Sequence, residues 1–203
     1  MRYPPDQKAQ ARDALLRAGA RTLKTSGFNG VGVDGLAAAA GMTSGAFYSN
    51  FPNKEALLKA IIDAGVGEPL LADTDSTTRA QGRARLISFI ADYLSADHSV
   101  DPAEGCVMPA LSADVSRSGE QVKDAYQRKM TALVDRIAGL LDGDEDNRQQ
   151  RAWSIVALIV GSILISRGIP ERSEFRFAPI ESASSTVATL IDFDAHDGDA
   201  GRG

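Results

Sequence analysis

Residues 31 to 55 read Val31-Gly32-Val33-Asp34-Gly35-Leu36-Ala37-Ala38-Ala39-Ala40-Gly41-Met42-Thr43-Ser44-Gly45-Ala46-Phe47-Tyr48-Ser49-Asn50-Phe51-Pro52-Asn53-Lys54-Glu55, and this stretch decides the fold. The spacing predicts a short helix over 33–40, ended by Gly41, and a second over 44–50 with Thr43 as its N-cap. A threonine hydroxyl there accepts from the unpaired amides of the first helical turn. Pro52 closes the second helix, and Asn53 caps a further helix that opens at Lys54. Two short helices joined through Gly41-Met42-Thr43 match a helix-turn-helix over 32–51, in which a small residue permits the tight turn.

Upstream, Ala11, Leu15, Ala18 and Thr22 recur at helical spacing between Asp6 and Thr25, and Ser26-Gly27 supplies a left-handed stop. Downstream, Leu86, Phe89, Ile90, Tyr93 and Leu94 form a stripe on a helix over about 78–96. A polar loop, 97–105, leads to a short helix carrying Met108, Leu111 and Val115. Val122, Tyr126, Met130, Leu133, Ile137 and Leu141 mark a longer helix, broken at Asp142-Gly143-Asp144. The next helix, over 147–167, is apolar on nearly all sides from Trp153 to Ile165 and calls for burial. After Gly168-Ile169-Pro170 and a loop over 171–179, a last helix carries Ile180, Ser184, Val187 and Ile191 on one face. The expected fold is all-α, with about nine helices and an Asp/Gly-rich disordered tail over 194–203.

Composition narrows the function classes. The chain has 203 residues, 43% hydrophobic and 24% charged, which is enough apolar material for a packed core. One cysteine allows no internal disulfide, so a reducing, cytoplasmic setting is expected. The N-terminus lacks an apolar stretch of the secretory kind, and the run from Ile155 to Ile165 is about half a bilayer span, so no membrane partner is expected. Net charge is -5, yet residues 1 to 60 hold eight bases (Arg2, Lys8, Arg12, Arg17, Arg21, Lys24, Lys54, Lys59) against four acids, a net of +4. A basic N-terminal part on an acidic body points to a polyanion partner for that part alone, ordinary scatter being the alternative. No nucleophile–base pair, acidic pair or ligand cluster is present, which argues against an enzyme. His98 and His196 are far apart in sequence, so no metal is expected.

The helix-turn-helix geometry assigns roles. A recognition helix this short enters the major groove by its N-terminal end, where small side chains belong. Thr43, Ser44, Gly45 and Ala46 stand there, with Phe47 and Leu36 beneath as core. Tyr48 and Asn50 are polar groups suited to phosphate oxygens, and Lys54 sits in a first helical turn whose dipole favours a phosphate. Tyr48 packed under the first helix, Lys54 as a solvated charge and Gly45 as a packing glycine are the structural alternatives.

These residues resemble the DNA-binding domain of the TetR (tetracycline-repressor-like) family. Gly27-Phe28, Ala40-Gly41-Met42-Thr43, and Gly45, Phe47, Tyr48, Phe51, Lys54, Glu55 and Leu57 answer that family's pattern over about residues 9 to 69. The departures are Gly32 where relatives carry a threonine cap, Leu23 where an aromatic is common, Asn50 where many carry histidine, and Gly19 inside helix one. The resemblance implies a reading surface over Thr43 to Asn50, backbone contacts from Tyr48 and Lys54, and a C-terminal regulatory and dimerisation domain over 70–193. A single helix-turn-helix buries little surface, so a dimer on a palindromic operator is expected. The implied four-helix interface takes Trp153, Val156, Val160, Gly161 and Leu164 from one helix and Ser184, Val187 and Ile191 from the other. The family also implies a cavity for an unidentified small-molecule effector, with Phe89, Tyr93, Cys106, Met108, Tyr126, Met130 and Trp153 as candidate walls. Cys106 stands at an expected helix N-terminus, where a thiol pKa falls, and some members sense electrophiles through a cysteine; a buried structural thiol is the alternative. The expected function is therefore a ligand-released transcriptional repressor. The alternatives are a small helical enzyme or ligand carrier whose first domain is incidental, and a regulator acting only through protein partners; specific, salt-sensitive duplex binding separates both from the main reading.

Overall fold

The computed structural model describes residues 5–68, 70–72, 78–95 and 101–192. Nine α-helices are present among them, with one 3-10 turn at Leu70–Ala72 and no strand. They are α1 (Pro5–Ser26), α2 (Val33–Ala39), α3 (Ser44–Asn50), α4 (Lys54–Gly65), α5 (Arg79–Tyr93), α6 (Val107–Ser116), α7 (Glu120–Ala138), α8 (Glu145–Gly168) and α9 (Ala178–Asp192). The expected tail over 194–203, His98 and His196 lie outside the described residues.

The chain forms two compact units, each drawn from two stretches of sequence. The first unit joins Met1–Val66 to Asp101–Lys129; the second joins Gly67–Val100 to Met130–Gly203. Thus α6 and the opening turns of α7 belong with α1–α4. In the first unit Leu15, Leu23, Leu36, Phe47, Leu57 and Leu111 are fully buried around one core. Gly19, a liability for a solitary helix, has a packing reason: a Cβ there would stand 2.9 Å from the Leu57 Cδ2 atom. Two glycines are required by backbone conformation. Gly27 ends α1 at φ +70° and Gly41 ends α2 at φ +68°, both left-handed as expected.

The second unit is built on α8 and α9, with α5 against α9. Leu86, Ile90, Ile155, Ile159, Ile163 and Ile180 are core. Arg151 is 5% exposed, and burial pulls its pKa below the ordinary arginine value. Its guanidinium donates to the Leu190 carbonyl at 2.8 Å and to the Asp142 carbonyl. Arg83 adds bonds to the Asp142 carboxylate at 2.6 Å and the Ile191 carbonyl at 2.8 Å. Two cations therefore satisfy carbonyls in the last turn of α9, where the helix dipole favours positive charge.

Three residues of the expected interface are buried within the chain itself. Val156, Val187 and Ile191 are 2%, 0% and 2% exposed, because α8 and α9 already bury them within one unit. Trp153 and Leu164, by contrast, are 49% and 54% exposed on the outer side of α8, with Ile165 beside them. Val160 and Gly161 are half-buried, and Ser184 is exposed. By length and composition alone the 24-residue α8 is apolar enough to cross a membrane, unlike the shorter run seen in sequence. Its buried side, with Ile155, Ile159 and Ile163, belongs to the core of the unit.

Replacing Gly41 isolates the conformational constraint, since a Cβ there meets nothing within 4 Å. Gly41→Ala is expected to lower unfolding free energy by about 1–2 kcal/mol and Gly41→Asn by less, measured by denaturant titration.

Candidate nucleic-acid interface

The α2–α3 pair is fixed by local chemistry. At the end of α2 the Gly41 amide donates to the Ala38 carbonyl and the Met42 amide to the Ala37 carbonyl, both at 2.9 Å. Thr43 then caps α3, its hydroxyl accepting from the Ala46 amide at 3.3 Å. Asn53 caps α4 in the same way, accepting from the Ala56 amide at 2.8 Å. Gly32 gives α2 no side-chain cap, the weakness that its lack of a side chain predicts. Leu36 and Phe47 are fully buried beneath the motif, and Phe51 behind α3 is 1% exposed.

The reading surface is open at its centre. Thr43 and Gly45 are exposed, and Ser44 and Ala46 are half-buried. A Cβ on Gly45 would find only the Thr43 Oγ1 atom, 3.8 Å away. Packing between α2 and α3 therefore does not demand glycine there. Tyr48 is 57% exposed, its ring edge-on to Phe47 at 5.6 Å, so it does not pack under α1. Sequence reasoning missed Asp34, whose carboxylate accepts from the Ser44 hydroxyl. The Ser44 hydroxyl keeps acceptor capacity, and a carboxylate stands beside it.

Two assigned residues face other partners. The Asn50 amide group donates back to the Ala46 carbonyl at 2.8 Å, and its Oδ1 is buried. Asn50 is thus a C-terminal brace of α3 rather than an outward polar group, because a short side chain in the last turn reaches its own helix first. Lys54 is half-buried: its ammonium donates to the Phe28 carbonyl and to the Val31 carbonyl at 2.9 Å, and lies 4.1 Å from the Phe28 ring centroid. It ties the α1–α2 connection to α4, two of its three N–H groups being taken by those carbonyls.

The basic excess of this part is similarly engaged. Arg12 donates to the Asn50 carbonyl at 2.9 Å and lies over Phe51. Arg21 pairs with Glu104, Lys24 donates to the Gly105 carbonyl at 2.8 Å, and Lys59 pairs with Asp63 at 2.7 Å. Lys8 and Arg17 stand exposed on α1.

The candidate cavity residues divide between the units. Cys106, Met108 and Tyr126 lie in the first; Phe89, Tyr93, Met130 and Trp153 lie in the second. The Cys106 thiol caps α6, accepting from the Met108 amide at 3.4 Å. Tyr126 and Ser112 share a hydrogen bond of 2.7 Å, and burial pushes the phenol pKa up. Phe89 and Tyr93 stack at a tilt with centroids 5.6 Å apart, and Met130 is buried. Trp153, half exposed, faces outward instead of into a core. Two cavities, of about 500 and 120 Å³, have other linings: one runs past Arg12, Asn53 and Glu120, the other past Ile87, Ser184 and Val187. Among the described residues no three His, Cys, Asp or Glu side chains gather as a metal site.

Gly45→Ala separates fold from binding. With open space at the Cβ position and a first helical turn in which alanine is preferred to glycine, unfolding free energy is expected to stay level or rise by up to about 1 kcal/mol. Duplex DNA affinity is expected to fall at least several-fold, read by fluorescence anisotropy beside a thermal melt.

Residues 15–61 match the family model described as "Bacterial regulatory proteins, tetR family". The chain is 25% identical over 193 residues to the HTH-type transcriptional repressor NemR of Escherichia coli (strain K12), covering 89% of this chain and 93% of that one. The crystal structure of reduced E. coli NemR superposes with a TM-score of 0.72 at 24% identity, over 92% of this chain and 99% of that chain. A regulatory protein TetR from Rhodobacter sphaeroides gives 0.68 at 26% identity, over 89% and 98%. The matched segment contains the whole capped α2–α3 motif with its exposed outer rim, and the relatives extend the likeness along nearly the full chain. Residues 15–61 thus match the tetR family of bacterial regulatory proteins, and the chain as a whole resembles regulators of that kind.

Proposed function

We propose that the chain is a transcriptional repressor that binds a palindromic operator as a homodimer in the cytoplasm and is released by a small-molecule effector. The observation that carries the reading is the outer rim of α3. Gly45 and Tyr48 are exposed on a helix capped at its N-terminus and held from behind by buried Phe47, within the segment matching the family. Major-groove edges are read by Thr43, Ser44, Gly45 and Ala46; Tyr48 and the remaining N–H of Lys54 meet phosphates. That the relative NemR carries the name of a repressor supports the sign of regulation.

The dimer reading is supported by apolar surface. Trp153, Ala157, Leu164 and Ile165 are exposed along one side of α8, with Ser184 exposed on the neighbouring α9. Large apolar side chains left open in one chain mark an interaction face. Effector binding needs only about 1–3 kcal/mol of coupling to separate operator-competent from incompetent dimers.

Selection from a pool of random duplexes at near-physiological salt tests the reading: an enriched palindrome supports it, and a well-folded dimer enriching nothing overturns it. On the selected duplex, Tyr48→Phe and Lys54→Ala are each expected to weaken binding and to lower the slope of log affinity against log salt by about one. Unchanged slopes in both remove their phosphate roles. Leu164→Asp is expected to give a folded monomer by sedimentation with operator affinity largely lost; a stable dimer rejects this face.

A further inference from the structure

A buried carboxylate sits behind the DNA-contacting unit where simple electrostatics would not place one. Asp114, in the last turn of α6, is 8% exposed. Its Oδ2 accepts from the Phe28 amide at 3.0 Å, and its Oδ1 from the Arg117 guanidinium at 2.9 Å. Phe28 is then held at its other end by Lys54, which takes the Phe28 and Val31 carbonyls and lies against the Phe28 ring. The segment between α1 and α2 thus hangs between a carboxylate of α6 and an ammonium of α4, all within the first unit. It leads directly into α2, whose Gly32 cap offers no side-chain bond to fix the helix start. The suspension thus stands at the entry to α2, beside the packing of α2 and α3 on α1.

We propose that Asp114 is a positioning residue for operator binding: it holds the Phe28 amide so that α2–α3 and the Lys54 ammonium keep the geometry that meets DNA. The proposal rests on the reading of residues 31–55 as the DNA-contacting head. It carries a sign opposite to that of charge alone. Deleting a carboxylate beside a polyanion site should tighten binding; deleting this one loosens it, because the Phe28 amide loses its acceptor.

The test uses the full-length chain and the duplex enriched by wild type, well below the unfolding temperature of each variant. Asp114→Ala is expected to bind that duplex about tenfold or more weakly, the scale of one lost bond to a charged acceptor. Asp114→Asn, which keeps an acceptor oxygen for the Phe28 amide, is expected to restore affinity. Without DNA, amide hydrogen exchange at Phe28 and through α2 is expected to quicken in Asp114→Ala and not in Asp114→Asn. If the alanine variant does not fold, Asp114→Ser, whose hydroxyl is too short to span the gap, carries the same expectations. Alanine or serine variants that bind as tightly as wild type or tighter, or that leave Phe28 and α2 exchange unchanged, overturn the proposal alone. Wild type that enriches no duplex overturns it together with the reading beneath it.

Discussion

A helix of seven residues does not hold itself in water, and α3 is such a helix. Everything that makes it persist comes from behind: the fully buried Phe47, Phe51 in the turn after it, and Leu36 reaching across from α2. Those three side chains need a wall, and α1 and α4 supply it, approaching closely enough that Gly19 and Leu57 meet in contact. The capping bonds of Thr43 and Asn53 then decide where α3 begins and where α4 takes over. The outer rim is available for binding because the inner side carries the whole burden of stability.

Much of this was legible in the sequence, since it is local chemistry. Gly27 and Gly41 announce left-handed helix ends, and Thr43 and Asn53 announce caps; each acts within four residues of its own position. What stayed hidden depends on distant partners. Lys54 reads as a surface cation until the Phe28 and Val31 carbonyls are found beneath it. Asn50 reads as an outward polar group until its amide turns to Ala46. Gly19 reads as a weak point in a helix, and only the Leu57 contact explains it. Val156, Val187 and Ile191 are indistinguishable in sequence from the outward Leu164, because an apolar side chain does not say which neighbour will bury it. The placement of 101–129 with the N-terminal helices is likewise a matter of long-range packing.

The charge split shows the same limit from another side. Among the described residues up to 60, five cations are bonded within the chain, to carbonyls of Asn50, Gly105, Phe28 and Val31 or to the carboxylates of Glu104 and Asp63. The basic excess thus builds the unit before it attracts anything. Affinity for a polyanion then rests on a few well-aimed donors, a condition that favours geometry over bulk attraction and makes the segment behind α2 as consequential as the surface itself.

The open space around Gly45 has a consequence for how such a chain changes over generations. Gly45, Tyr48 and Ser49 are exposed, and a side chain added at Gly45 displaces no core atom. If bases are read from Thr43 to Ala46, as proposed, preference for one base sequence over another is written in positions that the scaffold does not police. A lineage can therefore exchange its target by single substitutions on this rim while every buried residue stays as it is, so that divergence in what is recognised runs ahead of divergence in shape.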